Sequence, residues 1–162
     1  MKRTICYLLL SVLCVGLSAC DSNSSDVDLA VGTMRASIGG STWEAANATA
    51  NRMAAGGYAM VTIAGATVRA ETVSFTITDT GTGTYTLDGT VTPGGPDALS
   101  ATYIKTPGDS YVATTGTFEI TRKDDEGIEG TFSFEARNQA GQTVSVTDGA
   151  FNVGYGVSIG KR

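Results

Sequence analysis

Sixteen carboxylates, three thiols, one indole and no imidazole are the side chains from which this chain must draw any chemistry. The absence of histidine removes the usual proton acceptor at neutral pH and the commonest metal ligand. Ser-His-Asp and Cys-His catalysis and histidine-based zinc sites are excluded with it. Carboxylates can still work in pairs, as in glycosidases, when two lie roughly 5–10 Å apart. With sixteen acids some pair at that distance is inevitable. Glu44, Glu119 and Glu135 alternate with apolar neighbours, which puts them on solvated strand faces. The chain therefore reads as a non-enzyme. Asp124, Asp125, Glu126 and Glu129 are the densest acid group. Calcium needs 6–8 converging oxygens, and this stretch lacks the D-x-[DN]-x-[DN]-G spacing. Arg122 and Lys123 sit beside it, so it reads as a charged turn. Asp79, Asp88, Asp97 and Asp109 also fall in turns, where Asp caps its own backbone. No metal and no cofactor is expected.

Cys20 has the most informative setting of the three thiols. Lys2 and Arg3 precede an apolar run from Ile5 to Val15, and Leu17-Ser18-Ala19 leads directly into Cys20. A basic start, a short apolar core and small residues before a cut site make a secretory signal. The run is about 11 residues, against about 20 for a spanning helix. The stretch resembles the lipobox of bacterial lipoproteins. That resemblance implies cleavage between Ala19 and Cys20, lipid on the Cys20 sulfur and an acyl chain on its new amino group. A plain signal cut at Ala19 would instead leave Cys20 as a lone thiol in an oxidising compartment. More than one acyl chain gives stable attachment, at ~0.8 kcal/mol per buried methylene. The expected partner is thus a membrane, held through N-terminal acyl chains; no protein or glycan partner is legible.

Cys6 and Cys14 leave with residues 1–19, so no disulfide can form within the remaining 143 residues. The fold must stand on its core. Loss of Lys2 and Arg3 leaves nine bases against sixteen acids, a balance of −7. With no basic cluster, nucleic acid is excluded as a partner. Residues 20–32 comprise the lipidated cysteine and a polar, acidic stretch, Asp21-Ser-Asn-Ser-Ser-Asp-Val-Asp28 and onward, with too little apolar mass to fold. They read as a flexible tether reaching roughly 20 Å.

After residue 19 there are 23 threonines and only three leucines, Leu29, Leu87 and Leu99. Threonine suits a pleated, half-buried surface, and leucine scarcity removes the usual filling of helical cores. Period-two alternation begins at Thr33. Met34, Ala36 and Ile38 share one face, and Gly39-Gly40 turns the chain toward Trp43 and Ala45, so residues 33–50 read as a hairpin followed by a loop. Ala59, Val61 and Ile63 mark a strand ended by Gly65. Val73, Phe75 and Ile77 mark the next, and Tyr85 and Leu87 a short one. Pro93-Gly-Gly-Pro96 is a loop. Ala101, Tyr103 and Tyr111 flank Pro107-Gly108 on two short strands. Phe118 and Ile120, then Ile128, Phe132 and Phe134, form an antiparallel pair. Val144 and Val146, then Phe151 and Val153, close a domain spanning 33–153, with 154–162 as a tail. About ten short strands with frequent turns specify an all-β fold, a single antiparallel β-sandwich or barrel-like domain.

Trp43 could be a sugar-stacking platform, but its parity with Ala45 makes it a core anchor. Phe75, Phe118, Phe132, Phe134 and Phe151 also fall on inward parity. Only Tyr58, Tyr111 and Tyr155 are placed loosely enough to meet a sugar. Asn23-Ser-Ser25 and Asn47-Ala-Thr49 match the N-glycosylation pattern, here an accidental match.

Several pieces in order resemble the DUF6252 family, a domain of unknown function in Bacteroidota-type envelope lipoproteins. They are Ala36-Ser-Ile-Gly-Gly-Ser-Thr-Trp-Glu-Ala45, Gly83-Thr-Tyr-Thr-Leu87, Ala101-Thr-Tyr103, Gly116-Thr-Phe-Glu-Ile-Thr121, Gly130-Thr-Phe-Ser-Phe-Glu-Ala136 and Val146-Thr-Asp-Gly-Ala-Phe-Asn-Val153. The resemblance implies an all-β fold and an envelope location, and it carries over no catalytic residue. The expected function is a lipid-anchored cell-envelope binding or structural module. The alternative is a carbohydrate- or calcium-binding module in surface polysaccharide capture. The expected location is the outer membrane, on its periplasmic or surface face, because an acidic residue after the cysteine (Asp21) accompanies surface export in Bacteroidota.

Overall fold

Alternating apolar and polar residues with glycine-rich turns give ten strands and no helix among the described residues of this computed structural model, which are 29–55, 57–89 and 98–156. The signal, Cys20, the tether up to residue 28, the Pro93–Pro96 loop, Asp97 and the tail beyond Gly156 lie outside them. The strands are β1 (Thr33–Ile38), β2 (Ser41–Glu44), β3 (Asn47–Ala55), β4 (Tyr58–Ala66), β5 (Thr72–Thr78), β6 (Gly83–Leu87), β7 (Leu99–Thr106), β8 (Asp109–Lys123), β9 (Gly127–Asn138) and β10 (Thr143–Gly154). They form one antiparallel sheet in the order β2-β1-β10-β9-β8-β7-β5-β4-β3, with β6 also paired to β8. One curled sheet, and not two stacked ones, makes the fold barrel-like.

The curl brings the ends of the sheet together. The hairpin β1–β2 pairs Ala36 with Trp43, as its Gly39-Gly40 turn predicts. At Ala45-Ala46 the chain changes partners: the Ala45 N–H donates to the Met34 carbonyl at 2.9 Å, and the Ala46 N–H to the Ala66 carbonyl at 2.8 Å. The following run is therefore not a loop after Ala50. It continues as β3 to Ala55, because Ala48 and Ala50 keep the inward parity and are small enough for close approach. Ala50 also forms a parallel bridge with Tyr155, and its carbonyl accepts from the Gly156 N–H at 2.8 Å, so pairing extends past the expected boundary at Val153.

β2 and β3 run in the same direction, and so do β6 and β7. The first part of β8 takes β7, with Thr102 opposite Val112. Its later part takes β6, with Leu87 opposite Gly116. Ten strands thus make eight crossings of the barrel, two of them interrupted. The expected separate strands at Tyr111 and Phe118 are one strand, β8, with register shifts near Thr114 and Thr121. Val144/Val146 and Phe151/Val153 likewise share β10. Their inward parities differ, and a bulge between Val146 and Gly149, with Asp148 at φ 52°, absorbs the extra residue.

Gly65 does not end β4, which runs on to Ala66. It faces inward, and a side chain there would meet the Met34 sulfur at 2.9 Å and Ala45 Cβ at 3.0 Å. Glycine here permits close approach between β4 and β1.

The core follows the expected parity. Phe75, Phe118 and Phe151 are fully buried, and Phe132 and Phe134 nearly so. Phe75 sits 4.8 Å from both Phe118 and Phe132 and 5.9 Å from Phe134, measured between ring centroids. Phe118 stacks on Phe151 at 5.3 Å.

Replacement of Phe75 by Ala should lower the unfolding free energy by about 3–5 kcal/mol, read from denaturant titrations. Gly130→Ala should also destabilise although it removes nothing, because the new Cβ would lie 1.9 Å from the Glu119 carbonyl oxygen. An unchanged denaturation midpoint in Gly130→Ala would show that β8 and β9 can separate at that point.

Candidate functional site

Antiparallel order assigns each turn to one end of the barrel. The chain enters beside Asn152, whose Nδ2 donates to the Leu29 carbonyl at 2.6 Å, and the described chain leaves at Gly156 next to Ala50. The turns after β3, β5, β8 and β10 share that end. The turns after β1, β4, β7 and β9 lie at the opposite end, the mouth.

All three ion pairs among the described residues lie at the entry end. Arg122 bonds Glu129 through Nε at 3.1 Å, pairs with Asp124, and reaches the Asn152 amide oxygen at 3.3 Å. Lys123 joins Asp79 and the Thr80 carbonyl, tying the turn after β5 to β8. Arg52 lies 3.7 Å above the Tyr155 ring and donates to the Asp124 carbonyl at 3.1 Å. Asp124 Oδ1 accepts the N–H groups of Gly127 and Glu126, at 2.9 and 2.8 Å. Those bonds, and then Arg122, hold its carboxyl below the usual range. The densest acid group is thus a capped turn with its two best carboxylates on Arg122. Asp79 and Asp109 do not cap their own turns as expected. Asp79 takes Lys123, and Asp109 accepts from Asn138 Nδ2 at 3.1 Å, because long donors on neighbouring elements reach them first.

The mouth is built differently. A cavity of about 380 Å³ is lined there by Trp43 and Ile38 from the first hairpin, Glu71 before β5, Tyr103 and Lys105 on β7, Tyr111 on β8, and Val144 on β10, with Ser41, Thr42 and Thr143 at its rim. That volume lies in the range of small-molecule sites, ~300–1,000 Å³. Tyr103 and Tyr111 are buried, with ring centroids 5.9 Å apart. Trp43 is only 4 % exposed, and its Nε1–H is buried without a hydrogen-bond acceptor. A buried donor left unmade costs about 1–3 kcal/mol. Burial, and then the nearby Glu71 carboxylate, pushes the Tyr103 phenol above its ordinary value, with smaller contributions from Tyr111 and Asp109. Among the described residues, neither the Glu71 carboxylate nor the Lys105 ammonium belongs to an ion pair.

Trp43 is core, as its parity predicts, and it is also a wall of this cavity. Of the three tyrosines left free by sequence, Tyr111 is buried at the mouth, Tyr155 is half-buried under Arg52, and Tyr58 is 40 % exposed at the entry end. They do not form one face. Glu119 and Glu135 are exposed on outer faces, and Glu44 is exposed on β2. Cys20 and Ala19 lie outside the described residues. Sequence reading passed over Glu71 and Lys105. Each extends an inward column by one step, Glu71 before Val73-Phe75-Ile77 and Lys105 after Ala101-Tyr103. A charge at inward parity beside a turn was the available signal. A wider groove on the outer face has most of its hydroxyls already bonded: Thr117 to Ser133 at 3.2 Å, Thr131 to Glu119 at 3.3 Å and Thr147 to Asp148 at 3.1 Å.

The family model described as "Domain of unknown function (DUF6252)" matches residues 31–154, from just before β1 to the end of β10. No curated protein and no solved structure matches the chain.

The Tyr103 environment gives alkaline unfolding a direction. In the unfolded chain the phenol ionises near its ordinary 10.0, while folded Tyr103 still holds its proton. Stability should therefore fall as pH rises through 10.0 and level off above the folded value. In Tyr103→Phe that component should vanish from stability measured by denaturant across alkaline pH, and an identical decline in both proteins would refute it.

Proposed function

The chain belongs to the DUF6252 family, and from that premise we propose that it is a lipid-anchored cell-envelope protein whose β domain is a non-enzymatic binding module. Anchoring rests on the lipobox-like Leu17-Ser18-Ala19-Cys20 after a short apolar run. Binding rests on one geometric observation. The chain enters the barrel at one end, and the aromatic-lined cavity opens at the other, the length of a twelve-residue strand such as β9 away, roughly 35 Å. A module held by its entry end would present that mouth away from the bilayer. The polar stretch before it, read from sequence as a tether, would add reach.

The absence of histidine supports a binding role over an enzymatic one. So does the cavity lining, which includes a single carboxylate, Glu71, where acid–base cleavage of a glycoside would need two facing acids. The calcium alternative finds little support in the acid-rich turn, whose Asp124 and Glu129 are engaged by Arg122 and by backbone N–H groups. The proposed location is the outer membrane.

Cys20→Ser tests the anchor in the full chain. The wild-type protein should sediment with membranes and migrate as the lipidated form. The serine variant should appear in the soluble fraction with altered mobility. If the variant still sediments with membranes and migrates as wild type does, the proposal fails. Protease shaving of intact cells then reads which face of the outer membrane carries the domain.

A further inference from the structure

We infer that the mouth cavity is a saccharide site that takes a neutral sugar ring, an inference that rests on the binding role proposed above and names its ligand class. Three features of the lining carry it. The lining includes three aromatic side chains, Trp43, Tyr103 and Tyr111, with the two tyrosine rings 5.9 Å apart. The small part of these side chains that stays exposed gives a pyranose ring an apolar surface to rest on. The charges of the lining cancel, with one carboxylate, Glu71, and one ammonium, Lys105, neither held in an ion pair. A cationic ligand meets Lys105 and an anionic one meets Glu71. An apolar ligand would desolvate both charges and leave them without partners, which is costly. A polyhydroxylated neutral molecule satisfies both, since each hydroxyl donates to a carboxylate or accepts from an ammonium.

The third feature is the unmade bond of Trp43. Its N–H is buried and has no acceptor. Trp43 is carried by β2, which is four residues long and paired on one side only, to β1. A short edge strand moves more readily than a strand held on both sides. A sugar oxygen entering the cavity offers the acceptor that the N–H lacks, and a shift of β2 brings the two together. Occupancy at the mouth is thereby coupled to the position of the chain's only tryptophan.

That tryptophan is the reporter. The full-length protein, purified in a detergent without a sugar headgroup, is titrated with D-glucose, D-galactose, D-mannose, L-fucose and N-acetyl-D-glucosamine while Trp43 emission is followed. Glycine, L-lysine and L-glutamate serve as charged controls. At least one sugar should change the emission saturably, with a Kd of about 1 mM. Glu71→Gln and Lys105→Met should each weaken that response about tenfold, with the denaturation midpoint kept within error. A flat titration for every sugar, saturation by the amino acids alone, or equal sugar affinity in wild type and the Glu71→Gln/Lys105→Met double variant overturns the inference. Membrane release of Cys20→Ser is a separate readout. If anchoring fails while the emission titration saturates, the saccharide site stands without the anchor.

Discussion

Phe75 organises this molecule. With no disulfide available to the chain after residue 20 and almost no leucine, the barrel rests on five phenylalanines drawn from β5, β8, β9 and β10. Phe75 reaches Phe118, Phe132 and Phe134 across the interior, and Phe118 passes the contact on to Phe151. Tilted and edge-on ring pairs of this kind add about 0.5–1.5 kcal/mol each beyond the area they bury. Strands that are not neighbours in the sheet can share such a cluster only if the sheet curls around it. Curling then demands backbone close to backbone, and glycine and alanine occupy those places. Gly65 lies against Met34, and Ala48 and Ala50 line β3 where the far ends of the sheet meet.

The two ends of the barrel are finished in opposite ways. At the entry end, Arg122, Lys123 and Arg52 tie together the turn after β8, the turn after β5, Asn152 and Tyr155. Exposed pairs of this kind are individually weak. As a network around the point where the chain comes in, they hold Leu29, β8 and β10 in register. The mouth has no ion pair among the described residues; its turns are joined instead by Asn138, which donates to Asp109 and Gln142. The cavity's two charges stay unpaired, its indole N–H lacks an acceptor, and one wall is an edge strand. A buried N–H left unsatisfied costs stability, and a ligand oxygen is what would offset that cost.

Much of the architecture was legible because period two survives in nearly every strand. Val73-Phe75-Ile77 and Phe132-Phe134 need only alternation to be placed correctly, whereas the bulge between Val146 and Gly149 emerges only from the pairing of β10 with β9. Partner changes were less legible. Nothing local to Ala45-Ala46 announces that the chain leaves β1 for β4, since both residues are compatible with either neighbour. The extension of β3 to Ala55 was hidden by alanine, which fits helix, strand or loop. The mouth was hidden for another reason. Its lining comes from residues between 38 and 144, and adjacency across that span is a property of strand order. Trp43 and Tyr111 were marked individually, but Glu71 and Lys105 gain meaning only once β5, β7 and β8 lie side by side.

Strand count sets the entry end apart from the mouth. Eight crossings are an even number, so a chain that enters at one end must leave at the same end, as Leu29 and Gly156 do. Each interrupted crossing preserves this, because β2 runs on into β3, and β6 into β7, without reversing direction. The turns at the far end are then free of both termini of the described chain. Had either interruption reversed the chain, one terminus would emerge at the mouth and crowd the cavity. The same-direction breaks at Ala45-Ala46 and between β6 and β7 are therefore what leaves Trp43, Glu71, Lys105 and Tyr111 unobstructed by either terminus of the described chain.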